Sequence, residues 1–235
     1  MAIVYLLPSL LAEDGINAIP PYITDAIKDC QVFFVENERT TRRFFKQLWK
    51  ACLPGQEMVI DNYEWFTIAE DSSTTFKQKL KEGKNIGIVS EAGCPGVADP
   101  GQSLIGIAQE MNVDVKPLVG PNSILLALMA SGMNGQQFRF AGYLPIDNHE
   151  RTKAIKELET ESAKRNCTQV FIETPYRNNQ LTEALLKTCQ PSTRLCIAVD
   201  ITGKNESIKT RTISDWQKNK MDIHKRPAIF LLYAG

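Results

Sequence analysis

The chain reads as an α/β protein made of two α/β domains, and three observations predict it. Short apolar runs alternate with helix-like segments from end to end. The 235 residues are 43% apolar, a length that suits one large domain or two small ones, with enough hydrocarbon for a real core. A loop dense in glycine and proline, Ser90-Glu91-Ala92-Gly93-Cys94-Pro95-Gly96-Val97-Ala98-Asp99-Pro100-Gly101, follows the apolar run Ile86-Gly87-Ile88-Val89. Such a loop continues neither strand nor helix, and open α/β sheets place ligands at that strand end.

The elements follow in order. Residues 3–7 are a first apolar strand, 20–28 a helix opening with proline, and 32–35 a second strand. Residues 40–51 carry helical periodicity, 58–60 suggest a short strand, and 73–82 a helix stopped by Gly83. The strand at 86–89 leads into the glycine loop, a helix at 103–111 and a strand at 113–118. Gly120-Pro121-Asn122-Ser123 is a second strand–turn–helix junction, followed by a helix over 124–130. Asn122 or Ser123 suits a helix cap, and that helix start also attracts polar ligand groups. The polar segment 134–137 reads as a junction, and the domains are set at 1–118 and 119–235. Beyond it come strands at 138–143, 170–173, 195–199, 209–214 and 228–233, with helices at 148–164, 179–188 and 215–220.

Charge excludes some functions. Basic and acidic residues balance at 27 each, which argues against gripping nucleic acid by bulk charge. Residues 1–120 hold 11 basic and 16 acidic residues, and 121–235 the reverse, so a polyanion suits the second half better. Arg39, Arg42, Arg43, Lys46 and Lys50 recur at helical spacing. They form either a phosphate-binding stripe or a solvated helix face.

The six cysteines form no Cys-x-x-Cys pair and only two histidines exist, so no metal site is expected. The start lacks a signal-like segment, and no apolar run reaches membrane-spanning length, so a cytoplasmic protein without membrane contact is expected. No dinucleotide fingerprint, Walker loop or Gly-x-Ser-x-Gly elbow occurs. Cys94 stands near a helix start, but no histidine is close in sequence, and a small residue is all a tight loop needs.

The 90–101 loop resembles the "S-D-A-G-T-P-G-I-S-D-P-G" motif of the tetrapyrrole methylase superfamily, in its bacterial small-subunit rRNA (cytidine-2′-O)-methyltransferase branch. Other matches fall in the family's order. They are Glu36-Asn37-Glu38-Arg39-Thr40, Pro117-Leu118-Val119-Gly120-Pro121-Asn122-Ser123, Ala130-Ser131-Gly132-Met133, the run from Phe138 to Pro145, and Glu173-Thr174-Pro175-Tyr176-Arg177. The resemblance implies two α/β domains with mostly parallel or mixed sheets, a homodimer, and S-adenosylmethionine in the cleft between the domains. It implies cofactor contacts at Pro8, Glu91, Ala92, Gly93, Cys94 and Val97, and at Asn122 and Ser123. By looser matches it adds Ile172, Glu173, Ala198, Val199, Pro227, Ala228 and Ile229.

There are departures. Only Pro8 persists from the family's first loop, Cys94 replaces Thr, Glu91 and Asn37 each replace Asp, and Gly203 interrupts the "E-L-T-K" segment, as in a divergent short form. The reaction implied is methyl transfer to a ribose hydroxyl of ribosomal RNA, which calls for a base. Glu36 and Asp99 are candidate bases or orienters, with Arg39 and Lys204 holding an anionic acceptor. Asp99 is equally a turn or cap residue, and Glu36 an ion-pair partner of Arg39. Methylation of a small tetrapyrrole, or a non-catalytic cofactor-binding relative, are the alternatives.

Overall fold

Two faces of one sheet divide the apolar residues of the first unit by simple alternation. A computed structural model describes residues 2–56 and 58–235. Strands β1 (Ile3–Leu7), β2 (Val32–Val35), β3 (Glu64–Thr67), β4 (Ile86–Val89) and β5 (Asp114–Pro117) form a sheet in the order β3-β2-β4-β1-β5. Every pairing in it is parallel. Successive side chains point to opposite faces. So Tyr5, Leu7, Phe33, Val35 and Val89 meet α1 (Ile23–Asp29) and α2 (Glu38–Cys52) on one side. Val4, Val32, Phe34, Ile86 and Ile88 meet α3 (Ser72–Lys81) and α4 (Gln102–Glu110) on the other. Burial on both faces explains why β2 and β4 read as unbroken apolar runs.

Gly87 is required by this packing. It pairs with Phe33 on the neighbouring strand, and the Phe33 ring lies over it. A Cβ there would stand 2.5 Å from Phe33 Cδ1 and 2.7 Å from Leu7 Cδ1. The glycine leaves the aromatic ring its place between β2 and β4.

The edge strand β3 departs from the sequence expectation. Residues 58–60 form no strand, and a 3-10 turn occupies Ile60–Asn62. Pairing moves to Glu64–Thr67 because aromatic stacking decides it. Trp65 lies 4.9 Å from Phe33 between ring centres and Phe66 lies 5.1 Å from Phe34, one on each face. Trp65 Nε1 also donates to Ile60 O at 3.2 Å, which fixes the turn beneath it.

The chain divides into two compact units, Met1–Asn122 and Ser123–Gly235. The second unit starts with α5 (Ser123–Ser131) and contains β6 (Phe138–Tyr143), α6 (Asn148–Arg165), β7 (Thr168–Ile172) and α7 (Asn178–Thr188). Strands β8 (Arg194–Val199) and β9 (Ser207–Thr212), helix α8 (Ile213–Lys218) and β10 (Ala228–Tyr233) complete it. Its sheet is mixed, in the order β6-β7-β10-β8-β9, with only β6 and β7 parallel. Phe171, Leu185, Ile197, Trp216 and Phe230 anchor its core. Asp147 caps α6 by accepting from the N–H groups of His149 (2.9 Å) and Glu150 (3.0 Å).

Two further expectations shift. The segment 134–137 lies inside the second unit, between α5 and β6. Asn134 anchors it there, its Oδ1 accepting from Gln136 N at 2.9 Å and its carbonyl from Thr168 Oγ1 at 2.9 Å. The strand expected at 209–214 runs from Ser207 to Thr212 instead, because Thr212 Oγ1 accepts from Asp215 N and starts α8. Gly87→Ala is expected to destabilise the protein by about 1–3 kcal/mol, the usual range for overpacking. Urea unfolding measures it, and an unchanged midpoint would contradict this packing.

Candidate functional site

In an all-parallel sheet every strand ends on the same edge. The chain leaves β2 toward β3 on one side and leaves β4 toward β5 on the other. The switch point therefore lies between β2 and β4, where open sheets form their ligand crevices. The residues found there are Glu36 and Asn37 after β2 and the 90–101 loop after β4. Glu91 N–H donates to Glu36 Oε1 at 2.8 Å, and Thr40 Oγ1 donates to Glu91 Oε1 at 2.8 Å. Asn37 caps α2 by accepting from Thr40 N at 3.2 Å.

Burial pushes the Glu36 carboxyl above its ordinary range, and the nearby charges of Asp99 and Glu91 add to this against the Glu91 N–H bond. Burial likewise raises Asp99, opposed by amide bonds from its own loop. Those bonds show what Asp99 does in this structure. Its Oδ1 accepts from Gly96 N at 2.9 Å and Gly101 N at 2.8 Å, so it folds the loop around itself. Gly93 and Gly96 adopt φ of +79° and +83°, which glycine alone reaches without strain.

Loops from β1 and β5 join the same place. Ser9 N–H donates to Gly93 O at 2.8 Å. Pro8 lies against Gly120, where a Cβ would stand 2.1 Å from the proline Cβ. A Cβ on Gly93 would stand 3.4 Å from Pro121 O. The Cys94 thiol donates to Pro121 O at 3.5 Å, and burial raises its pKa, the opposite of an activated nucleophile. Pro8, Gly93, Cys94 and the turn before Asn122 are thus gathered into one cradle, with Glu91, Ala92 and Val97 exposed on it.

A cleft of about 240 Å³ opens beside this cradle. Ser9, Leu10, Thr40, Phe44, Gln47 and Glu91 are among its walls. Sequence reading did not single out Ser9 or Gln47 as site residues, because their positions depend on how the first loop folds over α2.

In the second unit, Ile229 of β10 pairs with Ile172 of β7 and with Ala198 of β8, and Ala228 pairs with Val199. Five of the expected residues therefore stand side by side on three strands. Pro227 O accepts from Asp200 N at 2.9 Å. Glu173 is buried, its Oε1 accepting from Arg177 Nη2 at 2.6 Å and Thr174 N at 2.7 Å, while Oε2 has no hydrogen-bond partner among the described residues. Lys204 is exposed on the turn after β8, and Arg39 is exposed on α2. Glu36 does not pair with Arg39: its carboxylate is engaged by the Glu91 amide.

Among the described residues no group of three or more His, Cys, Asp or Glu is arranged to hold a metal. No helix among them is long and apolar enough to cross a membrane.

The family model for tetrapyrrole (corrin/porphyrin) methylases matches residues 19–217. The chain belongs to the tetrapyrrole methylase family. Relatives named ribosomal RNA small subunit methyltransferase I include one from Bacillus subtilis (strain 168), 30% identical over 216 residues, or 92% of this chain and 69% of the relative. One from Buchnera aphidicola subsp. Schizaphis graminum is 32% identical over 160 residues, 67% of this chain and 55% of the relative. A third, from Micromonospora olivasterospora, is 40% identical over 174 residues, 74% and 51%. The chain thus spans about half the length of several relatives it matches. Among solved structures, the methyltransferase CobJ superposes with a TM-score of 0.60 at 16% identity, covering 99% of this chain and 93% of that one. The uroporphyrin-III-C-methyltransferase of Thermus thermophilus gives 0.59 at 15% identity, covering 100% and 95%. These likenesses establish the tetrapyrrole methylase fold.

The raised Glu36 carboxyl has a measurable consequence. A folded-state pKa above the unfolded value means the folded state holds its proton longer, so stability falls as pH rises between the two values. Glu36→Gln keeps the oxygen that accepts from Glu91 but removes the titration. Denaturation from about pH 4 to 7 is expected to show the wild type losing stability relative to the variant as pH rises. Parallel curves would contradict the assignment.

Proposed function

We propose that this chain transfers the methyl group of S-adenosylmethionine to ribosomal RNA, at a ribose 2′-oxygen of a small-subunit cytidine. The observation that carries the reading is the convergence of the β1, β4 and β5 loops, where glycines strip side chains from the main chain. A zwitterionic nucleoside needs backbone donors and acceptors, close approach and apolar walls, and this cradle offers them. The relatives' shared name supports RNA as the acceptor.

Pro8, Glu91, Ala92, Gly93, Cys94, Val97 and Asn122 are the proposed donor contacts of the first unit. Ser123 is proposed with Asn122 as a donor contact, and in the second unit the proposed adenosine platform is Ile172, Glu173, Ala198, Val199, Pro227, Ala228 and Ile229. When bound, the donor supplies a methyl group on a positively charged sulfur. The residues then have distinct tasks. The glycine loop aligns the donor and excludes water. Asp99 acts by holding that loop in shape. Glu36, its carboxyl raised by burial, accepts the proton of the attacking hydroxyl. Arg39 and Lys204 hold anionic groups of the acceptor. The resemblance also supports a homodimer working in the cytoplasm.

Calorimetric titration tests the donor site. The wild type is expected to bind S-adenosylmethionine saturably. Gly93→Val introduces a branched side chain at φ +79° and 3.4 Å from Pro121 O, and is expected to weaken binding at least tenfold, about 1.4 kcal/mol. Labelled donor incubated with unmethylated small subunits is expected to label their RNA. Absence of saturable donor binding, or label only in small tetrapyrroles, would overturn the proposal.

A further inference from the structure

The turn after β5 is tied to two other segments, and one of the ties comes from a residue with no role so far. The turn carries Leu118, Val119, Gly120 and Pro121 and leads into Asn122. Leu118 N–H continues the β1–β5 ladder by donating to Leu6 O at 3.1 Å, and Pro8 fills the space over Gly120. From the glycine loop, the Cys94 thiol donates to Pro121 O at 3.5 Å. At the start of α1, the hydroxyl oxygen of Tyr22 accepts from Val119 N–H at 2.7 Å.

The chain that carries Tyr22 is stiff. Pro20 and Pro21 precede it, each with its φ fixed by the ring. Ile19 and Ile23 on either side are buried. Thr24 Oγ1 donates to Pro21 O at 2.8 Å, and Asp25 N–H donates to Tyr22 O at 3.1 Å. A phenol on such a base turns about only two bonds, so its oxygen is placed at little cost in freedom. The ring does little for the core, since Tyr22 is 44% exposed and Val119 is 71% exposed. A solvent-exposed amide finds water as a substitute partner, so the bond adds little to global stability. What it fixes is the place of the main chain at Val119.

We infer that Tyr22 is a positioning residue of the methyl-donor site: acting through Val119, it sets the turn from Leu118 to Pro121 against the glycine loop. This rests on the methyl-transfer reading and adds to it a residue that touches neither donor nor acceptor. A ligand held by main-chain groups of several loops needs those groups in place before it arrives, and ordering a loose turn on binding costs affinity. Tyr22 stands in the segment where the chain keeps only Pro8 of the family's first loop. The departing segment thus brings its own tie to the cradle.

The test is calorimetric titration of the full chain with S-adenosylmethionine and with S-adenosylhomocysteine. Tyr22→Phe removes the hydroxyl and keeps the ring. It is expected to weaken both ligands by about fivefold, to raise the KM for the donor on small subunits by a like factor, and to leave kcat at saturating donor nearly unchanged. Amide exchange at Val119 without ligand is expected to quicken. Thr24→Ala is the matched control, because it removes a hydroxyl bond at the same helix start that runs to Pro21 O and not to the turn. It is expected to leave donor affinity as in the wild type. Should Tyr22→Phe fail to fold, Tyr22→Leu is measured in its place on the same terms. Wild-type donor affinity in the Tyr22 variant, or equal weakening in Thr24→Ala, overturns the inference and leaves the methyl-transfer reading intact. Failure of the wild type to bind either ligand overturns that reading and the inference with it.

Discussion

One backbone hydrogen bond sets the geometry of the first unit's functional edge: Ser9 N–H to Gly93 O, at 2.8 Å. It joins the loop after β1 to the loop after β4, and those strands are neighbours in the sheet. With that bond made, Pro8 is seated on Gly120 and draws in the loop after β5. Glu91 N–H reaches the other way, to Glu36 after β2. Four strand ends are thereby tied together by short contacts, the tightest of them Pro8 on Gly120. The cradle and the cleft beside it are two sides of this one arrangement.

The arrangement works against local stability. It brings the charges of Asp99 and Glu91 close enough to Glu36 to add to the burial that raises its carboxyl, and it holds Ala98, a residue with a side chain, at a φ of 59°. Such features persist only where the surroundings over-determine them. Here the surroundings are the doubly covered sheet, with Phe33, Phe34 and Phe45 wholly buried in the cores on its two faces. Rigid packing below and strained loops above is the expected division of labour when a scaffold positions a site.

The buried strands were legible because each is an unbroken apolar run between helices; β1, β2 and β4 begin and end where their hydrophobicity does. The glycine loop was legible from its density of glycine and proline. The edge strand β3 was not, since Glu64-Trp65-Phe66-Thr67 is short and is fixed by rings on β2 far away in sequence. Asp99 was readable as a turn residue or as a base, and the amides of Gly96 and Gly101 show it folding its loop. The bond from Val119 to Tyr22 left no trace in the sequence, because it joins residues far apart in the chain, one of them in a segment that departs from the family's pattern.

The central claim is that main-chain groups of the 90–101 loop and its β1 and β5 neighbours hold the methyl donor. Amide hydrogen exchange with and without S-adenosylhomocysteine, the demethylated donor, tests this most directly. The account predicts slowed exchange at Ala92, Gly93 and Cys94 and in the turn before Asn122. Saturable binding that leaves exchange at those amides unchanged would contradict it.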